Sequence, residues 1–472
     1  MRAVVAVALA LTLAGCAVGP NYQRPTAAVP QTWPSEPARG VSRGVQPPDE
    51  QWWKALRDPE LESLVTRAVA SNLDLQLAAS RIDEARASRG VARSDFFPQV
   101  NAGVSLGRSR QIVAGAVPTA SGTRFGIFPF ESTFYQGQFS MAWEADVFGR
   151  VRREVQAATA DLVAAEEDRR NVLIVLLGDV AANYAQVRGY QLRLRIANDN
   201  IGIEQQTLDL TRDLAKAGQA TDRDVAQAES QLEATRATVP AVETGREQSI
   251  HRLSVLLGAE PGSLESELAS DAELPAIPAG VPVGLPSDLL ERRPDIRRAE
   301  AQLVAATARV GQAKAEYFPH FSLTGDAGRE STQLHLLALG GGNFFSFGPT
   351  ISLPVFTAGR IRSNVAVQEA RMKESITAYQ STVLTALEET ENALVSYSNE
   401  QDRRDLLDRA AKADGTALEL ARVQYKAGLA DFLTVLDSER ALSNDRDQLA
   451  QSRTAVVTNL VALYKALGGG WE

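Results

Sequence analysis

The chain has 472 residues and a formal net charge of −9, with one cysteine and three histidines. A single cysteine excludes an internal disulfide and a cysteine metal cluster, and the acidic balance argues against a nucleic-acid surface. Length alone suggests about three domains. An internal repeat, described below, favours one duplicated architecture instead.

The N-terminus has the features of a secreted lipoprotein. Residues 1–15 predict a signal peptide, with Arg2 followed by the apolar run Val4–Leu13 and small residues. The sequence Leu13-Ala14-Gly15-Cys16 resembles the lipobox of bacterial lipoproteins, in which the cysteine is diacylated. Ala17, rather than an aspartate, follows it, as in lipoproteins sorted to the outer membrane. The alternative is an ordinary signal peptide with a chance cysteine.

Residues 16–57 are predicted to form a lipid-anchored, extended N-terminal arm, because prolines are dense from Pro20 to Pro48. A disordered free chain is the alternative. After residue 16 no apolar run approaches the roughly 18 residues that a membrane-spanning helix needs. Any membrane crossing must therefore be made by strands.

The sequence contains an internal duplication. Lys216–Ala220 recurs as Lys426–Ala430 at an offset of 210, whereas Phe97-Pro98 recurs as Phe318-Pro319 at an offset of 221. The sequence therefore predicts a first repeat over 58–280 and a second over 281–472. Within each repeat the sequence predicts, in chain order, a helix, two strands joined by a loop, a very long helix, a tight turn and a returning helix. The change of offset predicts a loop between residues 98 and 149 that is 11 residues longer in the first copy.

Four segments have alternating polarity and predict strands with one apolar and one polar face. They are Gln99–Leu106, Tyr135–Trp143, Phe321–Asp326 and Phe345–Leu353, the last interrupted by Gly348-Pro349. Such segments fit the wall of a transmembrane barrel, and the alternative is the edge of a soluble β-sandwich. Four strands cannot close a barrel, and an open edge in lipid is prohibitive. The sequence therefore predicts a barrel shared between subunits with cyclic symmetry.

Two segments, Arg150–Lys216 and Arg360–Lys426, contain no proline and predict very long helices. At 1.5 Å per residue each spans roughly 100 Å. Leu442, Leu449, Val456 and Leu463 recur at the seven-residue spacing of coiled coils. A two-helix coiled-coil spacer is the alternative interpretation.

Each long helix ends in Lys-Ala-Gly. Gly218 and Gly428 supply a left-handed C-cap, and the preceding lysines complement the helix dipole. Thr221 with Asp224, and Asp431, are predicted N-caps of the returning helices. The sequence therefore predicts two hairpin tips at one end of the molecule.

Several blocks resemble the TolC-like outer-membrane factors, specifically the NodT/OprM-type efflux lipoproteins. The resemblance covers nearly the whole chain, and its most specific block is Gly284–Ile296. The other matching blocks are Cys16–Pro25, Trp52-Trp53 with Asp58–Leu61, Leu253–Gly258 and Leu353–Arg360.

The resemblance implies an α+β membrane protein with internal duplication. It implies a homotrimer whose 12-stranded β-barrel, four strands per chain, continues into a long 12-helix periplasmic α-barrel. The expected function is the outer-membrane channel of a tripartite RND-type efflux system. The expected partners are a periplasmic adaptor (membrane fusion protein), an inner-membrane pump and outer-membrane lipids. The expected location is the outer membrane, lipid-anchored and extending into the periplasm, with no cofactor besides the covalent lipid at Cys16.

The resemblance also implies an iris-like gate on the second hairpin, for which the candidate residues are Leu433, Asp437 and Arg440. Arg440 follows Asp437 by three residues and is expected to pair with it, within a chain or across to a neighbour. Candidate adaptor-docking residues at the two tips are Lys216, Gly218, Lys426, Gly428 and Leu429. The first copy departs from this pattern, because Arg223, Gln227 and Ser230 stand at the positions equivalent to the gate residues.

Enzymatic motifs are absent from the sequence. His251, His320 and His335 have no metal-ligand spacing, and neither a phosphate loop nor a nucleophile elbow is present. The sequence therefore predicts no enzyme and no metal site. Alternative functions are an exit duct for type I protein secretion or for metal-ion efflux. A periplasmic coiled-coil spacer lipoprotein and an outer-membrane lipoprotein enzyme are alternatives from other classes.

We expect Cys16→Ala to abolish metabolic labelling of the protein with palmitate, because Cys16 is the only thiol that could be acylated. Part of the protein should still assemble, since barrel burial is itself a large hydrophobic contribution. Labelling and membrane fractionation of both forms check this. Unlabelled wild-type protein in the inner membrane would contradict the expectation.

Overall fold

The structure is a computed structural model of the chain. It describes residues 17–26, 29–35, 39–42, 51–338 and 342–470. The predicted signal peptide, residues 1–15, and the predicted lipidation site Cys16 lie outside the described residues.

The described residues form six strands and ten α-helices, with 3₁₀ turns at Trp52–Leu56 and Pro286–Asp288. The strands are β1 (Val41–Ser42), β2 (Gln99–Thr119), β3 (Gly122–Ala145), β4 (Val281–Pro282), β5 (His320–Ser331) and β6 (Asn343–Ser352). The helices are α1 (Pro59–Ser71), α2 (Leu73–Ser94), α3 (Arg150–Lys216), α4 (Asp222–Leu256), α5 (Glu265–Leu268), α6 (Leu289–Arg292), α7 (Pro294–Ala315), α8 (Leu334–Ala338), α9 (Arg360–Lys426) and α10 (Phe432–Ala466). None of the helices in the described ranges is long and apolar enough to span a membrane.

The helices repeat with the predicted offsets. The long helices α3 and α9 each have 67 residues, and the returning helices α4 and α10 each have 35. The shorter helices α2 and α7 each have 22 residues and are offset by 221. The internal duplication therefore extends to the boundaries of these elements.

The four long strands form one antiparallel sheet in the order β2-β3-β5-β6. The register places Ala102, Phe139, Ala327 and Phe345 in one cross-strand row. The adjacent row contains Asn101, Ser140, Asp326 and Ser346. Since neighbouring rows point to opposite faces, one face is apolar and the other is polar, as the alternation predicts.

Two details of the predicted strands are wrong. The longer first-copy segment is not a loop, because β2 and β3 stay paired from Gln99↔Ala142 to Thr119↔Gly122 and form an extended hairpin. The fourth strand is not interrupted at Gly348-Pro349 but ends before Leu353. β6 is an edge strand of this sheet, where a residue without a backbone N–H is tolerated.

The chain divides into two compact units, and each takes segments from both copies. Among the residues that the structure describes, the first unit takes its members from 17–24, 83–163 and 301–377, and it contains the four-stranded sheet. The second unit takes its members from 25–82, 164–300 and 378–470. The predicted repeats, 58–280 and 281–472, describe the duplication of the sequence and stay a prediction. They do not coincide with the two compact units, because each unit contains segments of both repeats.

The second unit has a large apolar core. Trp52 stacks on Tyr464 with ring centroids 5.0 Å apart, and Leu177, Leu253 and Leu460 are fully buried beside them. The heptad positions Leu442, Leu449, Val456 and Leu463 are all buried, as predicted. A smaller cluster of Leu208, Leu232, Tyr425, Val435 and Leu436 lies close to the hairpin tips.

The N-terminal arm is held in place by contacts in both units. In the first unit, the Arg153 guanidinium donates to the Val18 carbonyl at 3.2 Å and to the Asn21 side-chain oxygen at 2.9 Å. Described residues between 29 and 42 pack within the second unit. Trp33 is buried, and its indole Nε1 donates to the Gly284 carbonyl at 3.1 Å. Arg39 forms ion pairs with Asp402 and Asp405 on α9. β1 adds a short parallel pairing with β4. These residues are therefore not a free chain.

Candidate functional site: the paired hairpin tips

Both tips have the same helix-terminating geometry. Gly218 and Gly428 adopt left-handed φ angles of 71° and 72°. The next backbone N–H reaches back to close the turn, from Gln219 to the Leu214 carbonyl and from Leu429 to the Gln424 carbonyl, each at 2.8 Å. This is a Schellman motif, and its left-handed residue favours glycine. The predicted tips are present in both copies.

The predicted N-caps are also present. The Thr221 hydroxyl accepts from the Asp224 backbone N–H at 3.3 Å, and the Asp224 carboxylate accepts from the Thr221 N–H at 2.9 Å. At the second tip, Asp431 accepts from the Thr434 N–H at 3.0 Å and from its hydroxyl at 2.6 Å. These hydrogen bonds from Thr434 hold the pKa of Asp431 below its ordinary value.

The two tips together line a groove of about 610 Å³, here called the tip groove. The first copy contributes Leu214, Gln219, Arg223 and Asp224, and the second contributes the residues from Tyr425 to Leu433 except Leu429. The predicted docking residues Lys216, Gly218, Lys426, Gly428 and Leu429 are all exposed on this pair of tips. Leu429, at the second tip, is 80% exposed.

The three candidate gate residues lie on α10 but have different surroundings. Leu433 lines the tip groove and is 38% exposed. Asp437 is exposed, and its side chain makes no hydrogen bond or ion pair within the described residues. Arg440 does not pair with Asp437 in the chain; its guanidinium Nε donates to the Gln231 side-chain oxygen on α4 at 2.8 Å. The within-chain pair is therefore absent, and pairing across to a neighbour stays a prediction.

A buried polar cluster lies directly beneath the candidate gate. Glu439 is 4% exposed, and its carboxylate accepts from the Thr207 hydroxyl and from the Arg422 guanidinium, the latter at 2.9 Å. Arg422 also donates to the Ile203 carbonyl at 2.8 Å. Burial raises the pKa of Glu439, while the hydrogen bonds from Thr207 and Arg422 oppose the increase.

A second buried carboxylate continues this cluster. Glu204 accepts from the Thr235 hydroxyl at 2.9 Å and from the Gln231 amide at 3.1 Å. Burial raises the pKa of Glu204, and its bonds from Gln231 and Thr235 oppose this. Because Gln231 also accepts from Arg440, it connects the gate helix to Glu204.

Sequence reasoning missed this cluster. The available signal was the position of Glu439 on the apolar stripe of α10, three and four residues after Leu436 and Val435 and three before Leu442. A charged residue at such a position has to be paired when the helix packs. Its partners Thr207 and Arg422 lie on other helices, and helical periodicity does not identify contacts between helices.

The sheet of the first unit presents its apolar face without any cover. Val104, Phe139 and Phe345 are 87%, 63% and 85% exposed. The outer strands β2 and β6 each have a strand partner on one side only within the described residues. In the described chain the sheet therefore combines an uncovered apolar face with two unpaired backbone edges, both of which are unfavourable in water.

The sequence predicted no metal site, but the structure brings together one group of residue types that can bind metals. Glu247, His251 and Glu265 bring their ligand atoms within 4.8 Å of one another, and His251 Nε2 lies 3.7 Å from a Glu265 oxygen. The His251 and Glu265 side chains are 46% and 59% exposed. Exposed groups of this kind are common in proteins without a bound ion.

Comparison with known proteins gives a consistent assignment. The family described as outer membrane efflux protein matches residues 64–259 and 285–469, one stretch in each copy. The toluene efflux pump outer membrane protein TtgF of Pseudomonas putida is 34% identical over 99% of this chain and 97% of its own length. The outer membrane protein OprJ of Pseudomonas aeruginosa is 32% identical over 99% of this chain and 96% of its own length.

Solved structures of outer-membrane channels have the same fold. The channel OprN matches with a TM-score of 0.88 and 36% identity, covering 97% of this chain and all of its own. The open state of the MtrE channel of Neisseria gonorrhoeae matches with a TM-score of 0.78 and 28% identity, covering 97% and 99% of the two chains. The α+β fold with internal duplication is thus shared with outer-membrane channels.

Between about pH 4.5 and neutral pH, we expect the free energy of unfolding of Glu439→Gln to depend less on pH than that of the wild type. The pKa of Glu439 is raised above its ordinary value of 4.5, so its protonated form is favoured in the fold. The resulting stability is fully present below about pH 4.5 and is lost as the pH rises through the folded-state pKa. Glutamine keeps the neutral form throughout and removes this component.

Thermal unfolding of the detergent-solubilised protein between pH 4 and pH 8 measures the effect. Glu229→Gln is the matched control, because Glu229 is the equivalent residue of the first copy and is 57% exposed. If the unfolding temperatures of wild type and Glu439→Gln change with pH in parallel, the Glu439 carboxylate does not contribute to the pH dependence of stability.

Proposed function

Because the chain belongs to the outer membrane efflux protein family, we propose that it is the exit duct of a tripartite RND-type efflux system. The protein is an efflux component that resides in the outer membrane and extends into the periplasm. Its proposed partners are a periplasmic adaptor and an inner-membrane pump. The paired, exposed tips with their shared groove carry this proposal.

Three copies of the chain form the proposed duct. The four-stranded sheet has an uncovered apolar face and open edges, and both features are removed when copies join edge to edge. Three copies supply 12 strands and, from α3, α4, α9 and α10, 12 long helices. The duct works as a conduit and not as an enzyme, in agreement with a family of efflux channels. Diacylation of Cys16 anchors each copy beside the barrel.

The proposed cargo is a set of small organic compounds. The relative TtgF is named as the outer membrane protein of a toluene efflux pump. Its sequence is 34% identical to this chain over almost the whole length. This favours efflux of small molecules over type I protein secretion. The tips, with Lys216, Gly218, Lys426, Gly428 and Leu429, dock the adaptor, and Leu433, Asp437 and Arg440 form the resting gate.

We expect Phe139→Lys to prevent assembly in the outer membrane, whereas Gln138→Lys is tolerated. The two residues are neighbours on β3 and point to opposite faces of the sheet. A lysine on the lipid face near the bilayer midplane costs about 2–4 kcal/mol. Outer-membrane fractionation with mass measurement in mild detergent checks this. Normal assembly of Phe139→Lys would mean that this face does not meet lipid.

We expect Gly428→Pro to abolish efflux without loss of the protein from the outer membrane. Proline cannot adopt the left-handed φ of 72° and removes the N–H that bonds to the Tyr425 carbonyl. Dye accumulation in cells with the cognate adaptor and pump is the measurement. Gly415→Ala, within the preceding helix α9 and facing open space, is the control. Full efflux by Gly428→Pro at normal protein level would rule out docking at this tip.

We expect Asp437→Ala with Arg440→Ala to raise the resting conductance in planar bilayers. In a trimer the three Asp437 carboxylates face one lumen, and Arg440, held by Gln231, is the nearest counter-charge. Asp445→Ala with Arg446→Ala makes the same charge change further along the helix and is the control. An unchanged conductance in the correctly assembled gate variant would place the closure elsewhere.

A further inference from the structure

An apolar pocket of about 520 Å³, here called the junction pocket, lies in the first unit where α3 follows the sheet. It is lined by Phe96, by one face of α3 from Arg152 to Val163, and by Ala301 and Val304 of α7. The lining positions on α3 recur at three- and four-residue spacing, so the pocket runs along the helix. At 1.5 Å per residue this stretch of α3 is about 16 Å long. The pocket is therefore elongated.

The polar side chains that line the junction pocket are bonded to other groups of the chain. Arg152 Nε donates to the Asp146 carboxylate at 3.1 Å, and the Thr159 hydroxyl donates to a backbone carbonyl one turn earlier at 2.7 Å. The Gln156 side-chain oxygen accepts from Arg153 at 2.9 Å. A peptide or a charged ligand would lose hydrogen bonds with water here without replacing them, which is costly. A hydrocarbon chain has no such bonds to lose and fits the chemistry of the lining.

Contacts outside the junction pocket hold its walls in place. Arg309 of α7 forms an ion pair with Asp161 of α3. The Trp143 indole Nε1 donates to the Phe96 carbonyl at 2.9 Å and fixes the residue that closes one end of the lining. The pocket is therefore preformed, as sites for small apolar ligands commonly are.

The predicted lipidation site is attached to a residue that lies close to the junction pocket. Ala17 directly follows Cys16 in the sequence. A Cβ atom added at Gly149 would lie 2.7 Å from the Ala17 Cα and 3.5 Å from the Arg152 Nη2. Ala17 and Arg152 therefore both adjoin Gly149, and Arg152 lines the pocket.

The residues after Ala17 are held in one position. Arg153 is 4% exposed and donates to the Val18 carbonyl and to the Asn21 side chain, the latter at 2.9 Å. Gly19 packs so closely that a Cβ atom on it would lie 2.4 Å from the Gly311 Cα. A group attached at Cys16 is thus on a short tether beside the pocket. A short tether gives that group a high effective concentration there.

We propose that one acyl chain of the lipid on Cys16 occupies the junction pocket, while the rest of that lipid stays in the membrane. The inference rests on the proposed diacylation of Cys16. Moving hydrocarbon from a bilayer into an apolar pocket costs little, and it removes the pocket lining from water, which is favourable. The proposed barrel already inserts by its apolar face, and a single acyl chain adds only marginal membrane binding. The acyl chain in the pocket fastens the arm to α3 and α7.

A photoactivatable fatty acid identifies the occupant. Cells that express the full chain are fed a fatty acid with a terminal diazirine, which enters phospholipids and, from them, the lipid of lipoproteins. After irradiation of the membranes, we expect the Cys16 lipopeptide to be linked to the tryptic segments 154–169 and 299–309, which contain the pocket residues of α3 and α7. Val304→Trp fills the pocket and should abolish these links. Gln302→Trp, exposed on the same helix and outside the lining, is the control.

Each result has a defined meaning. Links from the lipopeptide to the strands alone would place the acyl chain in the membrane and overturn the proposal. Links from free phospholipid to the two segments, without the lipopeptide, would make the pocket a lipid site of another kind and overturn it as well. A Cys16 peptide that carries no fatty acid would refute the acylation itself. Efflux measured on the same cells tests the proposed function separately, because neither result depends on transport.

Thermal unfolding in lipid nanodiscs gives an independent test. Cys16→Ala, exported behind a signal peptide without a lipobox, should unfold a few degrees below the wild type, because the junction pocket is then empty. The same change should have no effect in the Val304→Trp background and its full effect in the Gln302→Trp background. Val163→Trp, at a position that is 40% exposed, is a second blocking variant that disturbs the fold less. Equal effects of Cys16→Ala in all backgrounds would contradict occupancy of the pocket.

Discussion

The free edges of the four-stranded sheet set the constraint on which the rest of the assembly depends. Along β2 and β6, one side of the backbone has no partner strand within the described chain. In a bilayer each unpaired backbone group costs several kcal/mol, and the homotrimer proposed above pairs these edges with strands of other copies. The apolar row of Ala102, Phe139, Ala327 and Phe345 lies on the face that is proposed to meet lipid. Under this proposal, membrane insertion and oligomerisation are one requirement, and the long helices belong to the same ring of copies.

Local features of the fold were predictable from the sequence, whereas contacts between distant segments were not. The helix boundaries, the two glycine turns and the caps at Thr221 and Asp431 follow from helical periodicity and terminating residues, which act within a few positions. The length of β2 and β3 was underestimated, because beyond Leu106 arginines interrupt the apolar alternation while the strands stay paired. Arg108 and Glu131 form an ion pair across this hairpin and satisfy the charges there. Arg440 was assigned to Asp437 because they are close in sequence, yet its partner Gln231 is 209 residues away.

The duplication preserved the backbone and allowed the side chains to diverge. The ion pair between Arg422 and Glu439 is short and its carboxylate is almost fully buried. Its first-copy equivalent, between Arg212 and Glu229, is longer at 3.7 Å and exposed at 42% and 57%. The first pair links α9 to α10 in the interior of the chain, and the second lies at its surface. The divergence is thus concentrated where the two copies have different environments, while helix lengths remain equal.

Polar contacts between α10 and α3 also fix the register of these two helices. Packing of leucine and alanine alone specifies register weakly, because the apolar spacing repeats every seven residues and a slip of one heptad costs little. Glu439 accepts a hydrogen bond from Thr207, and Asp447 forms an ion pair with Arg193. A slip of one heptad would leave both carboxylates without these partners, and for the buried Glu439 the loss is costly because its charge would be uncompensated. The polar contacts therefore specify one register where the apolar spacing alone permits several.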